Sequence, residues 1–473
     1  MPGGLVNTLI SVLSVFFLAY FLVLDVVYAS LLAISFLESG RDMRRVALGG
    51  TDALMRSPFT PPISIILTAL NEEATIVESV DALRLLEYRE FEIVVVDDGS
   101  TDSTLARLTE AYQLVASTEP VRAQLRCQPV RGVFVSGRLP NLVVVSKDNG
   151  GCKADASNAG INAARFPLVC VTDADAVLDK DTLSRVVRPF VERPRETIAA
   201  GGTIRAINGC RVEVGRVTRV GAPHNPLAAI QVVEYLRAFI ASRTAWSRLG
   251  AFFLISGAFG VFRKDAVVEV GGYDPRAIGE DMELTLRLHR HFRASGRPYR
   301  IVFVPDPVVW TEVPETLKAL RSQRKRWHRG LLQCLWWNRD VVFRPGYGLI
   351  GMVALPYLWI FEAGGAVVES VGYVVMVVAF VTGRLNTSYF VLFVLLAMAY
   401  GVALSVSALL IDQTRATRSQ GTAGVVWLLA CTVLENFGYR QMLTIWRLMA
   451  TVEVLAGRKA TWEPLERKGF DSG

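Results

Sequence analysis

The sequence predicts an α/β domain carried on transmembrane and interfacial α-helices, and three observations lead there. Long uncharged apolar runs sit at both ends of the chain. Short β-branched runs alternate with helical stretches in the middle. Carboxylates stand where several of those β-branched runs stop.

The apolar runs account for a composition that is 51% hydrophobic across 473 residues and for a mean hydropathy of +0.34, too high for an ordinary soluble protein. The first, Val6 to Phe36, exceeds the roughly 20 apolar residues needed to cross a hydrocarbon layer. It is too long for a signal-peptide core, and no small-residue cleavage site follows it. The cluster "RDMRR" (Arg41 to Arg45) comes next, and the positive-inside bias places it and residues 41–345 in the cytoplasm. The six cysteines are scattered without CxxC spacing, which fits a reducing compartment. A net charge of +7 suits a protein lying against an anionic inner leaflet, so no nucleic acid partner is called for.

In the middle, "ISIILTAL" (Ile63 to Leu70), "EIVVVDD" (Glu92 to Asp98), "NLVVVSK" (Asn141 to Lys147) and "LVCVTDAD" (Leu168 to Asp175) read as strands. Helical periods lie over Glu72 to Leu86, Ser103 to Leu114 and Lys153 to Ala164. Strands alternating with helices predict a parallel sheet covered on both faces. In such sheets ligands sit beyond the carboxyl ends of the strands. The stretch between Leu114 and Asn141 is long for a connection and predicts an extra hairpin. "TEVPET" (Thr311 to Thr316), with Pro314, predicts the start of an amphipathic helix.

From Tyr347 onward three more apolar runs follow: Gly348 to Val381, Ser388 to Ile411 and Gly424 to Trp446. Glu435, Asn436 and Arg440 interrupt the last, and intramembrane charge is costly unless it faces protein or a cavity. The expectation is two full crossings, then a re-entrant or interfacial helix pair, with the basic tail inside; a third full crossing is the alternative. The chain therefore divides into a transmembrane helix (1–40), a cytosolic domain (41–313), amphipathic interface helices (314–346), C-terminal transmembrane and interfacial helices (347–450) and a basic tail (451–473).

Asp97 and Asp98, side by side where a strand ends, stand at a ligand-binding position. Asp173 and Asp175 are two apart, so on an extended strand both would point to one side. Their repulsion would be relieved by a divalent cation, and hard oxygen ligands suit Mg²⁺ or Mn²⁺ shared with a phosphate. Lys153 opens a helix, where a cation is unfavourable unless an anion binds between it and the free N–H groups. No GxxxxGK[ST] occurs, which excludes a P-loop hydrolase. His224, His289, His291 and His328 lack metal-ligand spacing with the cysteines and read as surface or structural residues.

"TALNEEATIVESVDAL", "VVVDDGSTD", "NGGCKADASNAGINAA", "VTDADAVLDKDTL", "SGAFGVFRKDAV…VGGYD", "GEDMELTLRLH" and "QRKRW" together resemble the successive motifs of membrane-embedded family-2 glycosyltransferases. These include cellulose, chitin, hyaluronan and poly-N-acetylglucosamine synthases. The resemblance covers roughly residues 60 to 340. It implies a GT-A fold, a Rossmann-like mixed sheet, and an inverting, metal-dependent transfer from a UDP-sugar to a growing β-linked polysaccharide, with export of the polymer.

By the same resemblance Asp98, supported by Thr68, Glu72 and Asp97, would contact the uridine. Asp173 and Asp175 match a DxD motif, with Asp175 the direct metal ligand and Asp173 nearer the nucleotide. Asp281, in "GED" where relatives often carry "TED", would be the catalytic base, with Glu280 beside it at the acceptor. Gln323, Arg326 and Trp327 match QxxRW. Lys153, Gln323 and Arg326 would meet the diphosphate, and Trp327, Ser256 and Gly257 the acceptor. Arg321, Lys325 and Arg329 would face lipid headgroups, while Trp310, Trp336 and Trp337 would be interfacial. UDP-glucose and UDP-N-acetylglucosamine are the expected donors, and a saccharide or lipid-linked molecule the acceptor. The alternative is transfer of a single sugar to a polyprenyl phosphate or glycolipid. No appended soluble domain is evident, so regulation and export would involve accessory proteins.

Overall fold

Ile63, Ile65, Ile66 and Leu67 are all buried, without the alternation a half-solvated strand would have, because helices cover both faces of the sheet they enter. Each such side chain contributes about 1.5–3 kcal/mol on burial. The computed structural model describes residues 2–48, 57, 59–213, 215–415 and 420–458; residues 459–473, most of the expected basic tail, lie outside them.

The strands are β1 (Ile63–Ala69), β2 (Phe91–Asp97), β3 (Leu114–Ala116), β4 (Val130–Ser136), β5 (Leu142–Lys147), β6 (Leu168–Asp173), β7 (Val177–Leu178), β8 (Thr197–Ala206), β9 (Arg211–Glu213), β10 (Arg216–Arg219), β11 (Phe259–Arg263) and β12 (Arg300–Thr311). Ten form one sheet in the order β3-β4-β5-β2-β1-β6-β11-β8-β12-β7, and β9 pairs with β10. The sheet is mixed, as the resemblance implied, and not parallel throughout as the alternation alone suggested. Strands β5, β2, β1 and β6 run parallel, but β11 lies antiparallel between β6 and β8. The expected hairpin between Leu114 and Asn141 is present, with β3 antiparallel to β4 and β4 antiparallel to β5 at the sheet edge.

The longer helices are α1 (Pro2–Leu48), α2 (Ile76–Arg84), α3 (Thr104–Tyr112), α4 (Lys153–Ala163), α5 (Pro226–Leu236), α6 (Glu280–Ala294), α7 (Leu317–Trp337), α8 (Gly365–Val381), α9 (Thr387–Arg415), α10 (Gly421–Leu434) and α11 (Tyr439–Leu455). Among the described residues three helical stretches are long and apolar enough to cross a membrane: Val12–Gly40, Ile350–Val381 and Phe390–Gln413. The pair α10 and α11 is bent by 57°, with Gly438 at φ 88° in the break, a conformation costly for any side chain. Helix α10 packs on α5 and α11 on α7.

Glu435, one of the charges interrupting the last run, is buried. It accepts hydrogen bonds from Arg237 at 2.7 Å, Arg440 at 2.7 Å and Ser405 Oγ at 3.2 Å. Two guanidiniums around one carboxylate meet the requirement that buried charge be paired. Trp310 is not interfacial: it is buried in β12, and its Nε1 donates to Asp179 at 3.1 Å.

Candidate functional site

At the carboxyl end of β2 the two adjacent acids part company. Asp97 accepts from Ser100 N at 3.1 Å and from Ser146 Oγ at 3.2 Å, which holds the turn. Gly99 has φ 70°, and a Cβ there would lie 2.7 Å from Asn149 N, so the turn can press against the next strand-end loop only as glycine. Asp98 lines the cavity, as do Thr68 and Glu72 from the end of β1. Thr75 donates to Glu72 Oε2 at 2.8 Å.

Lys147, the last residue of β5, is completely buried between two acids that sequence reasoning did not link to it. It bonds to Asp98 and lies 2.7 Å from Asp155; Gly150 N adds a bond to Asp98 at 3.1 Å. Burial works against the ammonium, but Asp155 and Asp98 outweigh it and raise its pKa. A lysine ending an otherwise apolar strand was the visible signal.

Lys153 begins α4 as expected. Its ammonium bonds to Asp173 and donates to Gly257 O at 2.6 Å. Burial lowers its pKa, and Asp173 and Glu280 more than compensate. Asp173 ends β6, and Ala176 N bonds to Asp173 O at 3.2 Å, so Asp175 sits in a turn and not on a continuing strand. The same-side argument from strand geometry therefore fails, yet both acids line the cavity. They offer hard oxygen donors, which suit Mg²⁺ or Mn²⁺. Among the described residues no group of three His, Cys, Asp or Glu could hold a metal. A cation here would thus take its other ligands from phosphate and water, a sharing that suits Mg²⁺.

Gly257 joins this half of the site to the other. Its carbonyl takes Lys153, and its N–H donates to Asp281 Oδ2 at 2.9 Å. The second oxygen of Asp281 accepts from Met282 N at 2.8 Å in the first turn of α6, where the helix dipole favours an acid. Ser256 precedes Gly257 on the same wall. Glu280 also lines it; burial, then the Asp281 charge, push its pKa up to about 7 while Lys153 pulls against them.

Helix α7 carries Gln323, Arg326 and Trp327 to the same cavity, and Thr316 caps it by accepting from Ala319 N at 3.3 Å. Gln323 is buried, whereas Trp327 is 44% exposed. The helix meets the start of α6 at two glycines: a Cβ on Gly330 would lie 3.1 Å from Gly279 N. Gln333 Oε1 accepts from Ile278 N at 2.8 Å, fixing the loop that ends in Asp281. Lys325 and Arg329, expected to face lipid headgroups, are instead paired with α11, while Arg321 is exposed. Lys325 pairs with Glu453 at 2.5 Å, Arg329 with Glu453 at 3.5 Å, and His328 meets Thr451 at 2.9 Å, all on α11.

His289 is structural, as expected: its ring nitrogens meet Tyr299 Oη at 2.7 Å and Phe252 O at 2.9 Å, and burial lowers its pKa to about 4. One cavity of about 2810 Å³ holds Thr68, Asp98, Lys153, Asp173, Asp175, Ser256, Glu280, Asp281, Gln323, Arg326 and Trp327. It continues between the membrane helices past Tyr28, Tyr373 and Tyr400. Asp97 is the one expected site residue outside its lining.

A family model described as "Glycosyltransferase like family 2" matches residues 61–330. The poly-beta-1,6-N-acetyl-D-glucosamine synthase of Staphylococcus aureus (strain COL) is 28% identical over 301 residues, 63% of this chain and 60% of that protein. The protein of the same name from Staphylococcus epidermidis is 27% identical over 321 residues, 68% of this chain and 64% of its own. The match thus spans under two thirds of the length of these curated relatives. Among solved structures, a mannosyltransferase from Pyrobaculum calidifontis in complex with GDP-Man and Mn²⁺ is similar at 18% identity and a TM-score of 0.48, covering 92% of this chain and 100% of that one.

Proposed function

The chain belongs to glycosyltransferase family 2, and from that premise we propose that it is a membrane-embedded, inverting synthase. It transfers sugar from a UDP-sugar to a growing β-linked polysaccharide and passes the product along its own membrane helices. The observation that carries this reading is the single cavity that begins at Asp98, Lys153 and Asp281 and runs on between those helices. UDP-N-acetylglucosamine is the favoured donor, because the relatives above are named for a polymer of that sugar; UDP-glucose is the second.

In the proposed reaction Asp98, Thr68 and Glu72 hold the nucleoside, while Asp97 keeps the Asp98 turn in shape. Asp281 removes the proton of the acceptor hydroxyl, which attacks the anomeric carbon as the bond to the diphosphate breaks. An attack opposite the leaving group inverts the configuration, so an α-linked donor gives a β-linked product. General-base catalysis of this kind contributes roughly 10²–10⁴-fold. The bonds to Gly257 N and Met282 N orient the Asp281 carboxylate and leave lone pairs for the proton. Lys153 and Arg326 meet the charge that develops on the diphosphate, with Gln323 beside them. Mg²⁺ or Mn²⁺ held by Asp175 and Asp173 would supply further charge stabilisation there. Trp327, exposed to the cavity, offers its ring to the apolar face of the acceptor sugar, flanked by Ser256, Gly257 and Glu280.

The catalytic domain is proposed to face the cytoplasm, where UDP-sugars are found, with accessory export proteins beyond the membrane. The test is the size of the product made by purified protein from radiolabelled UDP-sugars with Mg²⁺ or Mn²⁺. A polymer from one donor, absent with Asp281→Asn although UDP still binds, is the expected result. One sugar on a lipid-extractable product would overturn polymerisation in favour of transfer to a polyprenyl phosphate or glycolipid.

A further inference from the structure

Arg324 occupies the first variable place of QxxRW, and its guanidinium lies 4.6 Å from the centre of the Trp327 ring. A cation over a tryptophan face is attracted by the ring quadrupole, most strongly when desolvated, and it fixes the plane of the ring. The guanidinium is itself held. It makes two parallel bonds to Glu234 on α5, 2.7 and 2.9 Å long, and the side chain is only 9% exposed. Tyr439 Oη donates to the same carboxylate at 2.8 Å. Tyr439 is the first residue of α11, immediately after the 57° bend. Tyr235, one residue on from Glu234, puts its ring 6.5 Å from that of Trp327.

We infer that Arg324 is a positioning residue for acceptor binding: Tyr439 and Glu234 hold its guanidinium, and the guanidinium holds Trp327 in the cavity. The bent C-terminal helix pair thereby becomes part of the acceptor site without touching the acceptor. The chain of contacts runs from α11 to α5 to α7, three elements far apart in sequence. The contacts of the Arg324 guanidinium go to Glu234 and Trp327 and none reaches Asp98, Lys153, Asp173, Gln323 or Arg326, so the donor groups keep their own contacts when it is lost. A lysine cannot replace Arg324, because an ammonium lacks the planar fork that meets both oxygens of Glu234. The inference rests on the proposed role of Trp327 at the acceptor.

The test uses the full-length protein in lipid nanodiscs with four variants: Arg324→Lys, Glu234→Gln, Tyr439→Phe and, as reference, Trp327→Ala. UDP binding in the presence of Mg²⁺ checks that each variant is folded and should stay within about twofold. Hydroxyl-radical footprinting read by mass spectrometry reports the solvent exposure of Trp327 without needing turnover. Labelling of Trp327 should rise in all of the first three variants. With a β-1,6-linked N-acetylglucosamine oligosaccharide as acceptor and UDP-N-acetylglucosamine as donor, loss of one such bond should raise the acceptor KM about three- to tenfold. The donor KM should be unchanged. Unchanged Trp327 labelling in folded variants overturns the inference, as does an equal rise in both KM values. If wild-type protein extends no such oligosaccharide, the choice of a β-1,6-linked acceptor fails, the proposed function is judged by product size as above, and the footprint alone decides whether Arg324 sets the ring.

Discussion

The ammonium of Lys147 sits fully buried against the carboxylate of Asp98, with Asp155 on its other side. A cation shared by two buried acids is stable only as a complete set, because removing one member leaves charge without compensation.

Lys147→Met should therefore destabilise the protein by about 3–5 kcal/mol, the usual result of breaking a buried pair. The loss should appear as a lower midpoint in thermal unfolding. UDP affinity should fall with it, since Asp98 is then free to turn away from the cavity. The double variant Lys147→Met with Asp155→Asn should recover part of the stability, because it removes one of the stranded charges.

Gly330→Ala should reduce turnover more than it reduces UDP binding. The added methyl would stand 3.1 Å from Gly279 N and 3.2 Å from Gly279 Cα, which are backbone atoms that cannot rotate away. Relieving the contact shifts α7 from the start of α6 at a cost of ~1–3 kcal/mol. Asp281 lies two residues beyond Gly279, so the displacement reaches this proposed base first. Steady-state kinetics beside UDP titration separates the two effects.

The pH dependence of stability should carry the mark of Glu280. Burial and the adjacent Asp281 raise its pKa from 4.5 to about 7, so the folded protein holds this proton more tightly than the unfolded chain. Its stabilising contribution is complete below 4.5 and is lost as pH rises through about 7. Glu280→Gln escapes that loss. The melting temperature of the variant minus that of wild type should grow across this window and level off above it; a difference constant with pH would contradict the assignment.

Much of this architecture was legible in the sequence because its signals are local. Four apolar strand runs, the acids at their ends and the order of the motifs could all be read one segment at a time. The direction of β11 could not: a strand covered on both faces shows the same apolar run whether it lies parallel or antiparallel. Asp173 and Asp175 misled for a related reason, since their spacing implies one face only while the strand continues, and it ends at Asp173. The basic face of α7 looked lipid-facing because Glu453, which pairs with Lys325 and Arg329, lies more than a hundred residues downstream. Lys147 and Arg324 were overlooked on the same grounds, their meaning residing in Asp155 and Glu234.

The docking of α11 on α7 also orders events during biosynthesis. Translation produces Asp98, Lys153, Asp281 and QxxRW before residues 439–455. Until that last segment is inserted, Glu453 and Thr451 are missing from the basic face of α7 and Tyr439 from Glu234. On the proposed function, the acceptor side of the cavity is therefore completed after the donor side.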